Sequence, residues 1–120
     1  MTAQRILLVE DEPITRELLA NVLVGEGYAI DVAATVAEAM RFLDRFEYSL
    51  VISDWRLPDG DGLLVVETGA QLGAKTFVMS GYLFQMPGGR AERHETLMKP
   101  VRPSELVDAV ERCIGKAGAP

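Results

Sequence analysis

Short apolar runs punctuate the chain, and all but one of them end in a residue that carries chemistry. Ile6-Leu7-Leu8-Val9 runs into Glu10 and Asp11, Leu50-Val51-Ile52-Ser53 into Asp54, Thr76-Phe77-Val78-Met79 into Ser80, and Thr96-Leu97-Met98 into Lys99. The weaker second run, Ala29 to Ala33, ends without an ionisable group. An apolar run without polar alternation reads as a strand buried on both faces, which is the condition of a parallel sheet. Amphipathic stretches separate the runs. Pro13 suits a helix start, and Ile14, Leu18, Leu19, Val22 and Leu23 recur at helical spacing before Gly25 or Gly27 ends the pattern. Thr35 can cap a second helix with Val36, Ala39, Met40, Leu43 and Phe46 as its stripe. A third is expected from about Gly62 to Ala70. A last one opens at Pro103 or Ser104, with Leu106, Val107, Val110, Cys113 and Ile114 facing inward. Strand and helix alternating in this way predict an α/β fold, a five-stranded parallel sheet covered on both faces.

A length of 120 residues suits one domain over 1–120, with about 116–120 as a frayed tail. The net charge of −6 is repelled by phosphate backbones, so no direct nucleic-acid partner is expected. No apolar run approaches a membrane span, and Ile6 to Val9 is too short for a signal peptide. The lone Cys113 cannot form an internal disulfide. These features give the expectation of a cytoplasmic chain with no membrane partner.

In open parallel sheets ligands sit beyond the C-terminal strand ends. There Glu10, Asp11 and Asp54 would repel one another unless a cation relieved them. Oxygen-only donors in small number suit Mg²⁺ better than Zn²⁺. A carboxylate, a hard metal and the point charge of Lys99 are also the parts that phosphoryl transfer uses, with Asp able to accept the group as an acyl phosphate.

Four motifs occur in order: Leu7-Leu8-Val9-Glu10-Asp11-Glu12-Pro13; Ser53-Asp54 with Pro58-Asp59-Gly60-Asp61-Gly62; Met79-Ser80-Gly81-Tyr82; and Lys99-Pro100. Together they make the chain resemble the receiver domain of two-component response regulators over essentially its whole length. The resemblance implies a flavodoxin-like (βα)₅ arrangement with strand order 2-1-3-4-5. It implies that Asp54 is the phosphoacceptor and that Glu10, Asp11, Asp54 and the main-chain carbonyl of Arg56 hold Mg²⁺. It further implies that Ser80 and Lys99 contact the phosphoryl oxygens and that Lys99-Pro100 is a cis peptide. Two features depart from the family. Thr96 stands where an aromatic switch residue is usual, and the stretch from Ser80 to Lys99 is short and holds Pro87-Gly88-Gly89, poor material for a helix interior. The fourth helix is therefore expected to be short, displaced or absent, with a loop or one turn from Leu83 to His94. Tyr82, backed by Phe84, is the expected carrier of the switch together with Ser80 and Thr96.

Other residues have plainer readings. Asp59-Gly60-Asp61-Gly62 reads as a turn and helix start, because the downstream Glu of a calcium loop is missing. His94 reads as a surface residue, and Met79, Met86 and Met98 as core or near-core filler. Cys113 reads as a small buried hydrophobe. Trp55, next to the acceptor, would pack against its loop and serve as a fluorescence reporter.

The expected function is that of a phosphoacceptor signalling protein, not an enzyme beyond its own phosphorylation and dephosphorylation. Its partners would be a sensor histidine kinase or histidine phosphotransfer protein, and a downstream protein reached by contact. Met1 at the start and no sequence beyond Pro120 favour a stand-alone regulator, with a receiver cut from a hybrid kinase as the alternative. Two rival functions compete with this one. A phosphatase with an Asp nucleophile would need a second Asp two positions after Asp54, where Arg56 stands. A non-phosphorylated pseudo-receiver would have no need to keep all the charged site residues.

Overall fold

The computed structural model describes residues 4–81 and 94–117. In chain order the elements are β1 (Arg5–Val9), α1 (Pro13–Gly25), β2 (Ala29–Ala33), α2 (Val36–Arg45), β3 (Leu50–Asp54), β4 (Arg56–Leu57), β5 (Gly60–Asp61), α3 (Gly62–Gln71), β6 (Lys75–Ser80), β7 (Glu95–Met98) and α4 (Pro103–Ile114). The five long strands form one sheet in the order β2-β1-β3-β6-β7, and all their pairings are parallel. Counted over those strands alone, this is the expected order 2-1-3-4-5. β4 and β5 form a small antiparallel hairpin that no apolar pattern announced. Tyr82, Phe84, Met86 and the expected irregular segment lie outside the described residues, save for its last residue, His94.

The sheet separates two cores. On one face Ile6, Leu8, Ile52, Phe77 and Met79 meet Leu19 and Leu23 of α1 and Leu106, Ala109 and Val110 of α4. On the other, Leu7, Val9, Val51 and Val78 meet Ala39 and Leu43 of α2 and Leu63, Val65 and Val66 of α3. Alternate residues of β1 and β3 thus feed opposite cores, which is why, past Arg5 (which opens β1 and pairs with Asp31), neither apolar run admits a charge until Glu10 or Asp54. Burial of this apolar surface supplies most of the drive to fold.

Helix ends follow local chemistry. Glu12 caps α1 by accepting from the Thr15 N–H, with Pro13 at the first helical position. Thr35 caps α2 by accepting from the Glu38 N–H at 3.1 Å. Asp59, on the turn of the β4–β5 hairpin, accepts from the Val36 N–H at 2.7 Å and the Ala37 N–H at 3.0 Å. The start of α2 is therefore tied to the segment that follows Asp54, and these backbone hydrogen bonds hold Asp59 below the usual carboxylate range.

Several readings need correction. Ile14 (77% exposed) and Leu18 (51%) do not face the core, because α1 lies on the sheet through Leu19 and Leu23. Phe46 is exposed beyond the end of α2, where the Arg5 guanidinium stacks on its ring at 4.1 Å. Met98 points outward near the end of the edge strand β7 and is half exposed. His94 is buried, with its Nδ1 2.5 Å from the Thr76 hydroxyl, because it enters β7 beside β6. Cys113 is only half-buried, packed at the margin of the α1–α4 core.

Candidate functional site

Four C-terminal strand ends deliver the side chains expected of them. β1 leaves the sheet after the Glu10 N–H donates to the Ala33 carbonyl at 3.0 Å. Glu10 itself is fully buried, while Asp11 beside it is exposed. Asp54 ends the central strand β3 and is 4% exposed, and Ser80 ends β6, equally buried. Lys99 follows β7, where its N–H donates to the Ser80 carbonyl at 3.1 Å, and its peptide bond to Pro100 is cis.

The Lys99 ammonium donates to Asp54 Oδ1 and to Glu10 Oε1, both at 2.8 Å. Glu10 Oε2 accepts the Glu12 N–H at 3.1 Å. Carboxylate oxygens of Glu10, Asp11 and Asp54 all lie within 4.8 Å of one another. Asp11, Asp54, Arg56, Ser80 and Lys99 line one shallow pocket of about 180 Å³. The Arg56 guanidinium rests on the Trp55 ring at 4.8 Å, beside the same opening. Hollows of similar or larger size occur elsewhere, such as one of about 200 Å³ lined by Asp44, Arg45, Phe46 and Glu47, but among the described residues the cluster of three acids able to share a metal ion is the one at this pocket.

The electrostatics are those of a pocket short of positive charge. Burial pushes the Asp54 carboxyl up to about 8, with the neighbouring Glu10 adding to the rise and Lys99 opposing it. Burial also works to raise Glu10, but hydrogen bonding with Asp54, Lys99 and the Glu12 N–H outweighs it and holds Glu10 low. Burial opposes the charge on Lys99 as well, and its hydrogen bonds to Asp54 and Glu10 overcome that to hold it above its ordinary value. Crowding of like charges in a buried place thus pushes Asp54 toward its neutral form, while Lys99 and the Glu12 N–H favour the ionised form of Glu10. The residues present fit a small, hard divalent cation: all donors are oxygens, and they converge from three acids on one point at the sheet rim.

The backbone around Asp54 is fixed from below. The Ser53 hydroxyl donates to the Asp54 carbonyl at 2.9 Å, the Trp55 N–H donates to the Met79 carbonyl at 2.9 Å, and the Gly62 N–H donates to the Trp55 carbonyl at 2.6 Å. A Cβ on Gly62 would stand 1.6 Å from the Asp54 carbonyl oxygen. Sequence reasoning reads Gly62 as a turn residue and helix start, without the close approach to Asp54, and gives no part to Ser53, Arg16 or the capping carboxylate of Asp59. A glycine that opens a helix straight after a turn is the one available signal.

An open, doubly wound parallel sheet with its converging charges at the C-terminal strand ends defines a flavodoxin-like α/β domain. Residues 6–111 match the response regulator receiver domain family. The chain is 45% identical over 62 residues to the transcriptional regulatory protein PmrA of Pectobacterium parmentieri, covering 52% of this chain and 28% of that protein. It is 32% identical over 110 residues to the aerobic respiration control protein ArcA of Escherichia coli (strain K12), covering 88% of this chain and 46% of ArcA. The chain thus spans less than half of either relative. Among solved structures, the receiver domain of the sensor histidine kinase PA1611 from Pseudomonas aeruginosa PAO1 superposes with a TM-score of 0.79 at 27% identity, over 96% of this chain and 100% of that one. That structure holds a magnesium ion coordinated in its active-site cleft. The chain belongs to the response regulator receiver domain family of two-component systems, signalling modules that bind Mg²⁺ in the active site.

Proposed function

We propose that the chain accepts a phosphoryl group on Asp54 from a phosphohistidine, carried by a sensor histidine kinase or a histidine phosphotransfer protein. The observation that supports this most is the buried Asp54 carboxylate at the end of the central strand, 2.8 Å from the Lys99 ammonium and within reach of two further acids. In the reaction an Asp54 oxygen attacks phosphorus, the P–N bond breaks, its electron pair returns to the imidazole, and an acyl phosphate forms. Lys99 neutralises charge on the phosphoryl oxygens, and the Ser80 hydroxyl stands at the neighbouring strand end to contact another. Glu10, Asp11, Asp54 and the Arg56 carbonyl would hold Mg²⁺, which supplies positive charge to the transferring group when bound. A small-molecule phosphoramidate with Mg²⁺ should load one hydroxylamine-labile phosphoryl group per chain, and a chain that stays unmodified would defeat the reading.

The metal part has its own test. A cation that binds only the folded chain stabilises it by RT ln(1 + [L]/Kd), so about 10 Kd of Mg²⁺ contributes on the order of 1.4 kcal/mol. Mg²⁺ is expected to raise the melting temperature of the wild type and to leave that of Asp11→Ala nearly unchanged. Equal rises in both would remove Asp11 from the ligand set.

Donor docking follows from α1. Ile14 and Leu18 are exposed one turn apart, directly after the acidic loop. A partner bringing a phosphohistidine over the pocket would cover them, and desolvated apolar contacts of this kind carry affinity. Leu18→Ala should slow transfer from a phosphorylated protein donor by roughly tenfold, the effect of losing about 1.4 kcal/mol of contact. It should leave loading by a phosphoramidate unchanged. A variant slowed equally with both donors would place the effect in the pocket instead.

A further inference from the structure

We infer that Arg16 is a positioning residue for the acidic loop, setting the place of Asp11 against Asp54. The inference rests on the reading of the pocket as a Mg²⁺ site. β1 makes its last ladder contact through the Glu10 N–H, so the carbonyls of Glu10 and Asp11 leave the sheet and need other donors. One atom of Arg16 serves both: Nη1 lies 3.0 Å from the Glu10 carbonyl and 3.3 Å from the Asp11 carbonyl. Arg16 is half-buried and makes no ion pair among the described residues, so its charge is directed at the main chain. Its own N–H donates to the Glu12 carbonyl at 2.9 Å, which fixes the root of the side chain. With the Glu12 N–H held by Glu10 Oε2 and the Glu12 carboxylate capping the Thr15 N–H, the loop is braced on every residue from 10 to 12.

Glu10 and Asp54 have a second hold on their side chains through Lys99. Asp11 is exposed, and among the hydrogen bonds and ion pairs of the described residues its only one is the carbonyl contact with Arg16. Its aim therefore depends on the backbone that Arg16 grips. A lysine would carry the charge to this region without the rigid planar group that holds Nη1 between the two carbonyls, so charge and clamp can be separated. Losing a group that orients metal ligands typically costs about ten- to a hundredfold in affinity.

The test is a Mg²⁺ titration of wild type, Arg16→Ala and Arg16→Lys, followed by Trp55 emission and by melting temperature, with amide exchange at Glu12 in the metal-free chain. The expected result is a midpoint raised roughly tenfold in Arg16→Ala and only partly restored in Arg16→Lys. Glu12 exchange should be faster in both variants. If Arg16→Ala does not fold, Arg16→Lys against wild type carries the test alone. An unchanged midpoint, or full restoration by lysine, overturns the inference, the second because charge alone would then suffice. A wild type that binds Mg²⁺ but takes no phosphoryl group defeats the phosphoacceptor reading while this titration still decides the role of Arg16. A wild type with no Mg²⁺ response defeats both.

Discussion

Replacing Gly62 by alanine is expected to cost about 3 kcal/mol or more, which for a domain of this size lowers the melting temperature by roughly 10 °C. The added Cβ would meet the Asp54 carbonyl oxygen at 1.6 Å and the Ser53 hydroxyl at 2.9 Å. The first of these is main chain at the end of the central strand, which no side-chain rotation can clear. Either α3 lifts from β3, opening the core around Leu63 and Val66, or the end of β3 shifts and takes Asp54 with it. Phosphoryl loading should therefore fall together with stability. Gly25→Ala is the control. Nothing beyond its own stretch of helix lies within 4 Å of where its Cβ would stand, its φ is not positive, and alanine is the better helix former. Urea denaturation of the two variants separates a steric cost from a generic cost of losing glycine. A Gly62→Ala chain as stable as wild type would contradict the close approach of α3 to the acceptor strand.

The second large effect concerns Asp54→Asn in metal-free protein. With its carboxyl pushed up to about 8 by burial, then by Glu10, Asp54 keeps a proton in the folded chain that the unfolded chain has lost above about pH 4. The folded state then binds more protons than the unfolded one, so stability is fully present below the unfolded pKa and is lost as pH rises through the folded one. Between about pH 5 and 8 the wild type should lose on the order of 3 kcal/mol. Glu10 is shifted the other way, so its contribution changes only at lower pH, outside this window. Asp54→Asn cannot titrate at that position. The fall due to Asp54 should be missing from its profile, and its stability should exceed that of wild type at the upper end of the window. Saturating Mg²⁺ should reduce the difference, because it favours the ionised carboxylate. Parallel pH profiles for the two proteins would show that Asp54 is not the group held protonated.

Much of this architecture was legible in the residues. Past Arg5, β1 and β3 are buried on both faces, so their apolar runs carry no charge until Glu10 and Asp54, and the break in each run marks the sheet rim and the site at once. Thr35 and Pro13 announced helix starts because capping and proline placement are local chemistry. What the sequence concealed depends on distant partners. Asp59 looks like any turn aspartate, and only the tertiary fold sets it against the start of α2. Arg16 looks like an exposed helix cation, and only the exit of β1 from the sheet gives it two carbonyls to hold. Ile14 and Leu18 fit a helical apolar period but stand outside the arc that meets the sheet, since the apolar positions on α1 exceed what one face can bury. His94 has polar neighbours in sequence, but these say nothing of the strand beside it, where Thr76 supplies a partner.

The central claim is that Asp54 is the residue that receives the phosphoryl group. The chain should be loaded with a phosphoramidate and Mg²⁺, reduced with borohydride, and mapped by peptide mass, since reduction converts an aspartyl phosphate to homoserine where it formed. Homoserine at position 54 in the wild type, none in Asp54→Asn and none when Mg²⁺ is chelated is the predicted result. Homoserine at another acid in the wild type, or loading of Asp54→Asn at the wild-type rate, would contradict it.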